Sequence, residues 1–111
     1  MSRPVALLIL FAAAVLEAGG DAVVRAGIHS SQLASRLALF LLGGCVLFGY
    51  GWVVNAPPWD FGKLLGIYVV FFFVVSQLIN YFFFAQKPSL TIILGGLLIV
   101  SGGLVIGLAK S

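Results

Sequence analysis

Residues 7–25 read LLILFAAAVLEAGGDAVVR, a run apolar enough to cross a bilayer that nevertheless carries two carboxylates, Glu17 and Asp21. An ionisable group near mid-bilayer costs on the order of 3 kcal/mol on insertion scales, so one retained there usually faces a cavity or a partner. At 100° per residue Glu17, Asp21 and Arg25 fall at i, i+4 and i+8 and form one stripe that climbs toward the helix end. Ala13, Gly19 and Gly20 leave room around it. Glu17 is therefore the first candidate functional residue. The plainer alternative is a salt-bridged helix exit, with Asp21 and Arg25 paired at the interface and Glu17 snorkelling toward them.

Outward from this stretch, three uncharged runs, 37–54, 64–85 and 89–109, are each about the 20 residues that cover a hydrocarbon layer of about 30 Å. The spacing predicts four transmembrane helices over about 4–24, 36–54, 64–85 and 89–109. The 111 residues are 62% hydrophobic and only 8% charged, against about 25% charged in soluble proteins. Mean hydropathy is +1.22. The chain is therefore read as one all-α, multi-pass membrane domain over residues 1–111, with loops too short for a soluble domain. Any chemistry has to happen inside the bilayer, and four short helices enclosing a carboxylate site invite oligomerisation. Six Lys/Arg are scattered singly among three acids, which excludes the usual clustered nucleic-acid patch. No zinc spacing, nucleotide loop or nucleophile motif is present, so neither a cofactor nor an enzymatic activity is expected. The single cysteine, Cys45, permits no intrachain disulfide and reads as a small packing residue.

Along the chain, Arg3, the apolar run 5–11 and Ala12–Ala14 mimic a secretory signal, but apolar helix resumes beyond them. Pro4 suits a first helical turn and Gly27 a helix end. Residues 26–35 then form a polar loop, in which His29 is solvated and has no second metal-binding side chain at helical spacing. Tyr50 and Trp52 fit an aromatic belt at the far end of the second helix. Asp60 and Lys63 read as a surface pair. In the third helix Tyr68, Phe72, Ser76 and Asn80 recur at every fourth position with Gln77 and Tyr81 beside them, a continuous polar and aromatic edge. Such an edge either lines a substrate chamber or supplies ordinary interhelical hydrogen bonds. In the fourth helix Gly95, Gly96, Gly102, Gly103 and Gly107 mark a small-residue ridge. Spacing alone leaves open whether it packs within the subunit or against a second copy; its length on a terminal helix favours a dimer contact.

Charge supplies a separate signal. Arg3, Lys63 and Lys110 fall on the side bearing both ends of the chain, and Arg25, Arg36 and Lys87 on the other. Because Lys/Arg bias in short loops sets orientation, an equal count predicts insertion both ways and an antiparallel pairing of opposed copies.

Two regions resemble the small multidrug resistance family, compact four-helix members of the drug/metabolite transporter superfamily. Glu17, Gly20 and Arg25 resemble the family's embedded glutamate, nearby glycine and helix-closing basic residue. FFFAQKPSLTIILGGLLIVSGGLVIGLAKS, residues 82–111, resembles its aromatic exit, polar turn and glycine-rich last helix. Asp21 is additional to the pattern, and the third helix lacks a glycine beyond Gly66. The resemblance implies an antiparallel dual-topology homodimer in the cell's inner (plasma) membrane. Its paired glutamates would bind protons or a small organic cation of guanidinium or quaternary ammonium type in alternation, with Tyr68 facing substrate. The expected function is proton-coupled export, with Glu17, Asp21, Tyr68, Ser76 and Asn80 as the substrate and proton site. Partners are then a second copy, the cation, protons and membrane lipid. The alternative is a non-catalytic accessory or lipid-binding subunit of a larger complex, such as a lipid-carrier flippase, in which the Glu17–Asp21–Arg25 stripe meets a partner or headgroup.

Overall fold

The computed structural model describes residues 1–108 as four successive helices, α1 (Arg3–Ile28), α2 (Leu33–Val54), α3 (Phe61–Phe84) and α4 (Leu90–Leu108). Each is long and apolar enough to cross a membrane, with hydropathy of 2.0 to 2.3 over its most apolar window. Even α4, the shortest at 19 residues, covers about 28 Å. The chain is an all-α, multi-pass membrane protein, as its apolar runs predict.

Local chemistry sets the helix ends, and three of them fall three or four residues away from the expected positions. Ser2 opens α1 by accepting the Val5 N–H at 3.4 Å, with Pro4 in the first turn. The helix then runs past Val24, through Gly27, to Ile28. Gly27 is a contact point rather than a stop, because a Cβ there would lie 2.7 Å from the Phe40 ring of α2. The predicted loop over 26–35 shrinks accordingly, and α2 begins at Leu33. Likewise α3 starts at Phe61, three residues before the expected 64. It closes at Ala85, which adopts the left-handed conformation at φ 53° and returns its N–H to the Asn80 carbonyl. Ser89 starts α4 by accepting the Ile92 N–H at 3.3 Å. The expected end of this helix at Ala109, and Lys110, lie outside the described residues.

Small residues dictate the packing. Between α1 and α2, Gly20 faces Leu47, Val24 faces Gly43 and Gly27 faces Phe40, an antiparallel register in which each glycine receives a side chain from the other helix. On its other side α1 meets α3. Leu10, Ala13, Ala14 and Ala18 of α1 form the core with Val54, Leu64, Tyr68 and Val75, and α4 contributes no residue to it. Instead α4 packs chiefly on α3. Phe48, Trp52 and Leu98, each about three-quarters exposed, point outward as lipid-facing side chains do.

The fourth-helix ridge divides into two faces. A Cβ at Gly96 would lie 2.5 Å from the Phe73 ring, one at Gly103 would collide with Val70, and one at Gly107 would lie 3.9 Å from Ile67, all on α3 of the same chain. A Cβ at Gly95 or Gly102 would meet nothing within 4 Å among the described residues outside the helix's own backbone. Consecutive helical residues point about 100° apart, so a Gly-Gly pair cannot present both members to one neighbour. The expectation of one continuous dimer ridge is thus corrected: Gly96, Gly103 and Gly107 serve the subunit itself, and Gly95 and Gly102 form the open remainder. Cys45 is also exposed, not the packing residue expected from its size.

Candidate proton and substrate site

Glu17 lies 14 residues beyond the start of α1 and 11 before its end, or about 21 and 16 Å along the helix. It shares the face of Leu10 and Ala13, seven and four residues earlier, which are fully buried. The small residues of that face let α3 come close. Tyr68 of α3, itself buried, donates its hydroxyl proton to Glu17 Oε1 at 2.8 Å across 51 residues of sequence. The Tyr68 ring is bracketed in turn, with the Tyr50 ring of α2 at 5.7 Å and the Phe72 ring at 6.3 Å between centroids, inclined to it by 32° and 28°.

Chemically this arrangement orients a carboxylate without neutralising it. A hydrogen bond to a charged group contributes about 1.5–3 kcal/mol, enough to fix the side chain. Because the donor is a neutral phenol, the carboxylate can still hold a proton or a mobile cation. The alternative of a salt-bridged helix exit does not describe this geometry. Glu17 is held toward α3, and the Arg25 guanidinium stands over the Phe84 ring, 5.7 Å from its centroid.

A polar cleft of about 510 Å³ adjoins the pair on the side of Arg25. Asp21 and Arg25 line it from α1, Ser76, Gln77 and Asn80 from α3, and Gln86 from the following turn. The every-fourth-residue edge of α3 therefore faces α1 throughout: Tyr68 reaches Glu17, Phe72 touches both Tyr68 and the cleft, and Ser76 and Asn80 lie in the cleft wall. Ser76 donates its hydroxyl to the Phe73 carbonyl at 2.8 Å and so offers the cleft only an acceptor. The side-chain oxygen of Gln77 is buried without a hydrogen-bond partner among the described residues. An unpaired buried acceptor is costly, and a ligand carrying N–H donors would satisfy it.

The five residues proposed for the site thus form two adjoining groups, Glu17 with Tyr68, and Asp21 with Ser76 and Asn80. Asp21 does not touch the Tyr68 hydroxyl, and Glu17 does not line the cleft. Sequence reasoning misplaced Tyr50, which turns inward onto Tyr68 while Trp52 keeps the outward position of a belt residue. The signal was the spacing of Gly43, Tyr50 and Val54 at i, i+7 and i+11, the face of α2 that meets the core. Arg25 and Gln86 join the cleft because α1 outlasts its expected end and α3 closes in a left-handed turn. No cluster of three or more metal-ligating His, Cys, Asp or Glu occurs among the described residues. Comparison of the chain with protein-family models, with curated proteins and with solved structures gives no match.

Proposed function

We propose that this chain is a divergent member of the small multidrug resistance family, a proton-coupled exporter of small organic cations working as an antiparallel homodimer in the plasma membrane. The observation that carries this reading is the Glu17–Tyr68 hydrogen bond, a mid-helix carboxylate held by a neutral donor. Such a carboxylate accommodates a proton or an organic cation but not both, and that exclusion couples the two fluxes. The adjoining cleft gives a cation a polar path toward the Arg25 end of the bundle, with Asp21 as an attractive charge along it. Phe72 lies between path and carboxylate.

The test is proton release on adding guanidinium or quaternary ammonium compounds to purified protein in unbuffered detergent solution. The unaltered protein and Asp21→Asn are expected to release protons, and Glu17→Gln none, with folding intact in all three. Release by Glu17→Gln but not by Asp21→Asn would reverse the two roles. No release from the unaltered protein with any cation would displace the exporter reading in favour of an accessory subunit.

A further inference from the structure

A second cavity lies at the opposite end of α3 from the Asp21 cleft. Both α1 and α4 pack on α3, and the gap between them is a groove of about 540 Å³, within the range of about 300–1,000 Å³ typical of small-molecule sites. Its two ends differ in chemistry. At the mouth stand Arg3, Lys63 and Trp59, and the Lys63 ammonium lies 5.9 Å from the centroid of the Trp59 ring. Below them the walls are apolar, including Ile67, Phe71 and Leu104. From Lys63 to Phe71 is eight residues of helix, so the apolar part reaches about 12 Å into the membrane. Gly103 and Gly107 keep the α4 wall low.

We infer that this groove binds one anionic phospholipid, with its phosphate between Arg3 and Lys63 and an acyl chain laid along α3 toward Phe71. The assignment rests on charge complementarity combined with polarity along the groove: cations and an interfacial tryptophan at the membrane surface, and hydrocarbon walls beneath. Basic pockets between transmembrane helices recognise lipid phosphate in this way, and Trp marks the headgroup level. A zwitterionic headgroup carries its own cation and meets two more at this mouth. The inference is independent of cation export, since it uses none of the residues placed in that site.

Trp59 and Trp52 are the only tryptophans, so Trp52→Phe leaves a single reporter at the mouth. This variant is reconstituted in phosphatidylcholine bilayers containing a fixed small fraction of either brominated phosphatidylglycerol or brominated phosphatidylcholine, and Trp59 quenching is read. Phosphatidylglycerol is expected to quench more strongly at equal mole fraction. Arg3→Gln and Lys63→Gln should each cut the preference about fivefold, the effect of one interfacial charge. Gly107→Leu keeps both cations and fills the groove; a Cβ there would make only ordinary contact with Ile67, at 3.9 Å, so the groove admits the side chain. It should abolish the preference with the far-ultraviolet circular dichroism unchanged. Equal quenching by the two lipids would overturn the proposal. So would a preference that survives Gly107→Leu, which would mean general attraction of anionic lipid to the surface. Absence of quenching together with a crosslink between copies through Leu104→Cys would assign the groove to a second subunit instead.

Discussion

Replacing Gly43 by Ala tests whether α1 and α2 approach as closely as the structure requires. The new Cβ would lie 2.6 Å from Val24 Cγ2, 3.2 Å from the Gly20 carbonyl oxygen and 3.3 Å from the Val24 backbone nitrogen. Valine in a helix has one strongly preferred rotamer, and the other two atoms are backbone, so relief requires the helices to part. Overpacking of this kind costs about 1–3 kcal/mol. Gly44→Ala is the matched control, since nothing lies within 4 Å of its Cβ position. Both variants gain the same helix propensity, about 1 kcal/mol, so their difference isolates the steric cost. Gly43→Ala should therefore be less stable than Gly44→Ala by about 1–3 kcal/mol, roughly a five- to 150-fold change in the folding equilibrium. Reversible unfolding by sodium dodecyl sulfate in mixed micelles, followed by circular dichroism, measures it. Parting α1 from α2 also draws Tyr50 from Tyr68, so cation binding should weaken in Gly43→Ala and not in Gly44→Ala. Equal unfolding midpoints for the two variants would refute the α1–α2 register, and with it the placement of Tyr50.

The divided glycine ridge makes opposite predictions for neighbouring positions. Gly103→Leu should push Val70 away and loosen α4 from α3 within each subunit, lowering stability. Gly102→Leu should leave the subunit folded and reduce dimer mass in detergent; an unchanged dimer would exclude the open face of α4 as the contact. Gln77→Leu removes a buried acceptor that lacks a partner, so stability should hold or rise by about 1 kcal/mol while affinity falls. The loss should be larger for guanidinium, which offers N–H donors, than for quaternary ammonium, which offers none; isothermal titration of both would show equal losses if Gln77 stays clear of the substrate. Reporters fused after Ser111 should be active on both sides of the membrane, given three Lys/Arg on each side, and one fixed orientation would exclude the antiparallel dimer.

The number of membrane spans and the prominence of Glu17 follow from the sequence alone. Transfer into hydrocarbon is decided residue by residue, so a run of about 20 apolar residues is legible wherever it occurs, and a carboxylate inside one stands out by its cost. The edge from Tyr68 to Asn80 was legible for the same reason, because polar side chains distinguish the inner face of α3 from lipid. Rotation of the remaining helices was not legible. In a bilayer the inner and outer faces are both apolar, so hydrophobic patterning cannot tell Gly95 from Gly96 or turn Tyr50 inward. Shape decided those: Phe73 and Val70 fill the space over Gly96 and Gly103, and Val24 fills the space over Gly43. The same close packing carried α1 past Gly27 and brought Arg25 beside Phe84, because a glycine reads as a helix end until the ring of Phe40 is seen against it. The separation of Glu17 from the Asp21 cleft is likewise tertiary. Depth along α1 already ranks Glu17 ahead of Asp21 in the sequence, but only α3 decides that a hydroxyl stands against the one and an open polar wall beside the other.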